Sequence, residues 1–193
     1  MLTIGGNDAR FGDIIKECIF AAGIYACPDA KLSGESDTLK VSVPRSVAGP
    51  VRSSLDQTLR EIHKKAPNAK IMLMGYPRLF ENDGSCVLGI GTDEAPWLND
   101  MVSLTMNPMM QSVAHDLSAA GIPVTFSNPI SDFAGKAICG SPESINGIVA
   151  SKTAGDKPQI LGIPPSSQSF HPKIPGGALY GTSATRTLRA MGL

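Results

Sequence analysis

The chain has no excess of charge of either sign: seventeen Lys and Arg balance seventeen Asp and Glu over 193 residues. A nucleic-acid binder normally carries a basic excess or stripe, so that class is disfavoured, as is a polybasic membrane-surface protein. Long apolar runs are also missing, and none approaches the roughly 18 residues that would span a bilayer. No C-x-x-C pair occurs. The only histidines are His63, His115 and His171, and none stands near a cysteine at zinc-ligand spacing. Neither a metal nor a cofactor is therefore expected. A Gly-x-Ser-x-Gly elbow, a phosphate-binding Walker loop and a G-x-G-x-x-G turn are absent as well, which removes the most recognisable hydrolase and nucleotide signatures.

Glycine (20) and proline (15) are plentiful, which suggests a loop-rich globular chain of single-domain length. Four cysteines, at 18, 27, 86 and 139, allow two disulfides or four buried thiols. Met1 is followed at once by Leu2-Thr3-Ile4, with no secretory leader pattern before it. That reads as a strand already in progress. It lies at a sheet edge, or the chain begins in mid-fold.

Hydrophobic spacing predicts strands at Leu2–Ile4, Lys70–Tyr76 and Val124–Phe126. It predicts helices at Phe11–Phe20, from Val47 to just before Pro67, over Glu94–Asn107 and Pro108–Ala120, and over Pro175–Met191. The helix from Val47 is the clearest, with Val47, Val51, Leu55, Leu59 and Ile62 on one stripe. Asn107 is expected to cap a fresh helix with Pro108 at its first position. Residues 26–44, 81–93 and most of 127–170 read as loop, and the methionines as fillers of core gaps. Strands alternating with helices imply an α/β fold with a parallel sheet, whose sites lie beyond the carboxyl ends of the strands. Gly5–Asp8, Tyr76–Phe80 and Ser127–Phe133 are thereby placed on the functional rim.

Two motifs carry candidate chemistry. In Gly5-Gly6-Asn7-Asp8 the residue types suit a tight turn, and the Asn7 amide could also donate to a developing oxyanion. In Ser169-Phe170-His171-Pro172, Pro172 holds His171 extended and off any helix, where a neutral imidazole suits general-base work. His63 and His115 are expected at helix surfaces. Ser166, Ser167 and Ser169 lie too close in sequence to His171 to be convincing nucleophiles.

Taken in order, several features resemble the SGNH (GDSL-type) hydrolases, in their secreted actinobacterial esterase/lipase branch. These are Gly5-Gly6-Asn7-Asp8, the Cys18 and Cys27 pair, Gly75-Tyr76-Pro77-Arg78-Leu79-Phe80, Cys86, Trp97-Leu98-Asn99, Phe133, Cys139 and Ser169-Phe170-His171-Pro172. The resemblance covers nearly the whole chain. It implies a flavodoxin-like three-layer α/β/α fold and ester hydrolysis by a serine. Asn7 then matches the oxyanion-hole asparagine and His171 the general base. The family's Gly-Asp-Ser motif and the block supplying an oxyanion-hole glycine are not in this sequence. The chain is therefore expected to be a single domain over residues 1–193 that lacks its nucleophile block and first two strands, and to have little activity by itself. Where the family often places an aspartate to support the histidine, this chain has Gln168, whose backbone carbonyl could serve instead. The resemblance also implies the bridges Cys18–Cys27 and Cys86–Cys139 and a secreted location; a monomer acting on a small-molecule or lipid ester is expected. An inactive binding relative or a decayed fragment is the alternative reading. Acyl and alcohol specificity are not encoded legibly.

Overall fold

The computed structural model describes residues 1–21, 24–81, 84–87, 89–149, 166 and 168–193. The continuous apolar run of the sequence forms β1 (Ile71–Met74), every residue of which is buried. It pairs in parallel with β2 (Val124–Ser127) in the register Ile71 to Val124 through Met74 to Ser127. On the other side of β1, Leu2 makes a parallel bridge to Leu73. The Leu2 N–H donates to the Met72 carbonyl at 3.0 Å, and Leu2 accepts from Met74 N–H at 2.9 Å. The sheet order is thus the Leu2 segment, β1, β2. Among the described residues no strand pairs with the far side of the Leu2 segment. Strand pairing is shorter than the sequence pattern suggests, since Lys70–Tyr76 contributes only four ladder residues.

Helices cover both faces of this short parallel sheet, giving a flavodoxin-like α/β/α sandwich. Successive strand residues point to opposite faces. Gly75 turns toward α5 (Asn107–Ala119), since a Cβ there would lie 2.7 Å from Asn107 Oδ1. On the opposite face, Ser127 Oγ bonds to Ser183 and Thr187 of α6 (Ile174–Ala190), with Thr187 donating at 2.7 Å. α1 (Phe11–Ala21) follows the Gly5–Asp8 turn.

Two proline-bearing segments differ from the sequence reading. The helix expected from Val47 begins at Leu39, inside the segment read as loop. It runs through α2 (Leu39–Ser46), a wide π-type stretch at Val47–Val51, and α3 (Arg52–Lys65). Leu39 and Val43 extend the buried stripe of Val47, Val51, Leu55 and Leu59 backward at the same spacing of four. Pro44 and Pro50 disguised that periodicity, and the wide turn absorbs the backbone donor that Pro50 lacks. Likewise α4 (Glu94–Asp100) passes through a π-type stretch at Met101–Met106 into α5 without a break. Asn107 has helical backbone angles and does not cap, and the wide turn ahead of Pro108 removes the clash that would otherwise end the helix. A short 3₁₀ turn at Cys27–Asp29 also lies within the supposed loop. The loop readings of 81–93 and 127–170 fall in part on residues 82, 83, 88, 150–165 and 167, which lie outside the described residues.

The core is continuous from α1 through the sheet to α5. Met72, Met74, Met101, Met106 and Met110 are all buried within the fold. The structure joins Cys18 to Cys27 and Cys86 to Cys139, with Cα separations of 4.5 and 5.7 Å.

Candidate active site

The turn after the Leu2 segment is closed by its own backbone. The carbonyls of Gly5, Gly6 and Asn7 accept from Ala9, Phe11 and Arg10 N–H at 2.9, 3.1 and 2.9 Å. Gly5 has φ +104°, which glycine alone adopts at little cost. Its neighbour Gly6 donates its N–H to the Tyr76 hydroxyl at 2.9 Å. Asn7 and Asp8 stand exposed on the rim. Burial pushes the Tyr76 hydroxyl above the usual tyrosine range; the Gly6 N–H opposes that shift and the nearby Asp8 carboxylate adds to it. Tyr180 of α6 is raised further by its own burial, with Tyr76 contributing.

His171 sits at the other end of the chain, in a segment held by antiparallel pairing. Ile145 bridges Pro172. Asn146 N–H donates to the His171 carbonyl at 2.9 Å, Phe170 N–H to Asn146 at 3.0 Å, and Lys173 N–H to Ser144 at 2.9 Å. Glu143 binds the Cys139 N–H and the Lys173 ammonium, tying this pairing to the Cys86–Cys139 bridge. α6 comes so close that a Cβ on Gly176 would lie 2.2 Å from the Ser144 carbonyl oxygen. Phe170 has φ +62°, a left-handed conformation that is strained for a bulky L-residue and is found preferentially at functional sites.

That turn changes the expected partner of the histidine. His171 Nδ1 faces the backbone carbonyl of Ser169 at 3.1 Å, not that of Gln168. The Gln168 carbonyl is already used by His171 N–H at 3.1 Å and by the Asn146 side-chain amide at 3.3 Å. The left-handed kink at Phe170 reverses the chain and brings the nearer carbonyl to the ring. With Nδ1 as the protonated donor, Nε2 carries the lone pair.

Phe170 joins the two ends of the sequence. Its ring meets Phe11, which follows the Asn7 turn, edge-on at 6.3 Å. It meets Phe80, beyond β1, in a similar arrangement at 6.1 Å. Phe80 is itself pinned, because the Asn99 side chain accepts from Leu79 and Phe80 N–H and donates to the Phe80 carbonyl at 2.9 Å. Eight residues later, Asn107 does the same for Tyr76, at 2.9 Å to its N–H and 2.8 Å to its carbonyl. Sequence reasoning missed these clamps; the only signal was a pair of asparagines on core-facing helix positions, where a buried amide must find partners.

Of the three rim segments expected, the third does other work. Ser127–Phe133 anchors α6: Arg186 forks onto Asp132 at 2.8 and 2.7 Å, also donates to the Asn128 carbonyl, and holds the Asp132 carboxyl below its usual range. Phe133 packs edge-on against Tyr180 at 5.0 Å. Ser169 Oγ accepts from Val149 N–H at 2.9 Å, a backbone-bracing role, and Ser167 lies outside the described residues. His115 is exposed, whereas His63 is half-buried, with Nδ1 covered and without a hydrogen-bond partner among the described residues. His63, in the last turn of α3, is thus partly buried where a fully exposed helix surface was expected. Among the described residues no cluster of His, Cys, Asp or Glu could hold a metal ion, and no helix is long and apolar enough to cross a membrane.

The same arrangement of sheet and helices occurs in solved structures. Over 95% of this chain it matches the extracellular lipase of Streptomyces rimosus (TM-score 0.73, 23% identity). Over 96% it matches phospholipase A1 of Streptomyces albidoflavus NA297 (TM-score 0.71, 23% identity). In sequence, a lipase of Streptomyces rimosus is 32% identical over 100 residues, and Lipase 1 of Streptomyces coelicolor 28% identical over 144. The chain is similar in sequence and in fold to Streptomyces lipases. No family model matches it. The aligned parts make up 51% and 73% of this chain but only 33% and 47% of those two lipases, and the chain covers 66% of each solved structure. It therefore spans well under two thirds of the curated relatives' length.

Proposed function

We propose that this chain is part of a secreted carboxylic-ester hydrolase, an SGNH-type esterase or lipase forming one domain over residues 1–193. Its serine comes from a segment ahead of Leu2. Asn7 supplies an oxyanion-hole donor and His171 is the general base. The observation that carries this reading is Phe170, which packs against both Phe11 and Phe80 and so ties the His171 loop to the Asn7 turn. The far side of the Leu2 segment, unpaired among the described residues, the extra length of the relatives and the two disulfides support it, the last fitting an oxidising compartment.

In this mechanism the serine Oγ attacks the acyl carbonyl while His171 Nε2 takes its proton. The Ser169 carbonyl, accepting from Nδ1–H, holds the tautomer and orientation. A carbonyl lacks the full charge of a carboxylate, so it steadies the imidazolium less than an aspartate would. Asn7 donates to the tetrahedral oxyanion. His171 then returns the proton to the departing alcohol, and water repeats the sequence on the acyl-enzyme. Without the serine, the 193-residue chain has little turnover. The test is hydrolysis of p-nitrophenyl esters by a chain lengthened to include the upstream serine. There, His171→Ala should abolish most activity and Asn7→Ala should lower kcat by roughly 10²–10³-fold. Unimpaired hydrolysis by His171→Ala would refute the assignment.

A further inference from the structure

The Gly6 N–H lies beyond the sheet bonds of its segment, which Leu2 makes, and its partner is a side chain. We propose that Tyr76 is a positioning residue for the oxyanion turn, its hydroxyl fixing the Gly5–Gly6 peptide and with it the direction in which Asn7 is presented. This rests on the ester-hydrolase reading above. The peptide unit is planar, so fixing the Gly6 N–H also fixes the opposed Gly5 carbonyl. That carbonyl accepts Ala9 N–H at 2.9 Å and closes the turn that carries Asn7. Tyr76 is a rigid post for this purpose. Asn107 ties down both of its backbone polar groups, and a Cβ on Gly75 would strike Asn107 Oδ1 at 2.7 Å, so the strand end cannot slide away. The fit at Gly6 is equally close, with a Cβ there lying 3.1 Å from the Tyr76 hydroxyl. Burial and the neighbouring Asp8 keep that hydroxyl protonated, so the contact persists across the ordinary working pH range.

The test uses Tyr76→Phe, which removes one oxygen and keeps the ring. In the 193-residue chain, amide hydrogen exchange at Gly6 should accelerate at least about tenfold as its partner is lost. In the serine-containing chain, kcat on p-nitrophenyl esters should fall about 10–100-fold with KM within twofold, because misaligning an oxyanion donor costs transition-state binding only. A merely structural tyrosine would leave that split unmoved. Gly6→Ala provides a second arm: its added methyl meets the hydroxyl, so its effect on kcat should be smaller in the Tyr76→Phe background. Unchanged Gly6 exchange, unchanged kcat, or strictly additive effects of the two substitutions would each overturn the proposal. His171→Ala in the same series separates the two claims. If it retains full activity, the ester-hydrolase reading fails, and Gly6 exchange alone then judges the Tyr76 contact.

Discussion

Replacing Phe170 by alanine would remove the ring that links the His171 loop to the Asn7 turn. Burying a whole phenylalanine in a core is worth about 3–5 kcal/mol, and Phe170 is half-buried, so about 2 kcal/mol is lost with its area. Two edge-on partners, Phe11 at 6.3 Å and Phe80 at 6.1 Å, add about 0.5 kcal/mol each at the low end of the range. The total is about 3 kcal/mol, which at a typical urea slope of about 2 kcal/mol/M moves the unfolding midpoint down by about 1.5 M. Backbone geometry adds a second, sharper expectation. At φ +62° an alanine keeps a left-handed penalty of about 1 kcal/mol that a glycine escapes. Phe170→Gly should therefore be at least as stable as Phe170→Ala, the reverse of their order at an ordinary loop position. Urea unfolding of the three proteins followed by circular dichroism decides it. A midpoint shift below about 0.5 M for both variants, or a clearly more stable alanine variant, would refute the clamp and the strain argument respectively.

Other expectations follow from the same structure. Replacing Cys86 and Cys139 by serine should cost about 4 kcal/mol, and opening the shorter Cys18–Cys27 loop about 3 kcal/mol, both read as urea midpoints under oxidising conditions. Gly176→Ala places a methyl 2.2 Å from a backbone oxygen that cannot rotate aside, so it should destabilise by about 3 kcal/mol and raise exchange at Lys173 N–H, whose acceptor is that same Ser144 carbonyl. The Asp132 carboxyl is held below its unfolded value by Arg186, so its contribution is present above about pH 4 and is lost as pH falls through the depressed folded value. Arg186→Met should accordingly flatten the fall of the urea midpoint between about pH 4 and pH 2.

The sequence made legible what local chemistry decides. β1 is a continuous apolar run, the Gly5–Asp8 turn is written in turn residues, and Leu55 and Leu59 mark their stripe plainly. The motifs at Asn7 and His171 were visible as residue types, and the resemblance gave them roles. What stayed hidden depends on long-range or strained geometry. Pro44, Pro50 and Pro108 look like helix stops, yet Pro44 sits within α2, a π-type stretch carries the helix through Pro50, and another leads into Pro108. Asn107 looks like a cap from its neighbours and becomes a clamp only when β1 lies beside it, and Asn99 works in the same way on Phe80. The carbonyl that faces His171 is decided by one left-handed residue, Phe170, which no local rule assigns to a phenylalanine.

The central claim is that Asn7 and His171 serve a serine encoded ahead of Met1. The most direct measurement is to read the DNA upstream of the Met1 codon. An in-frame Gly-Asp-Ser at the end of an apolar strand pattern, preceded by a secretory leader, is the expected result. An in-frame stop codon next to Met1, with no Gly-Asp-Ser block between them, would contradict it and leave the fold without its nucleophile.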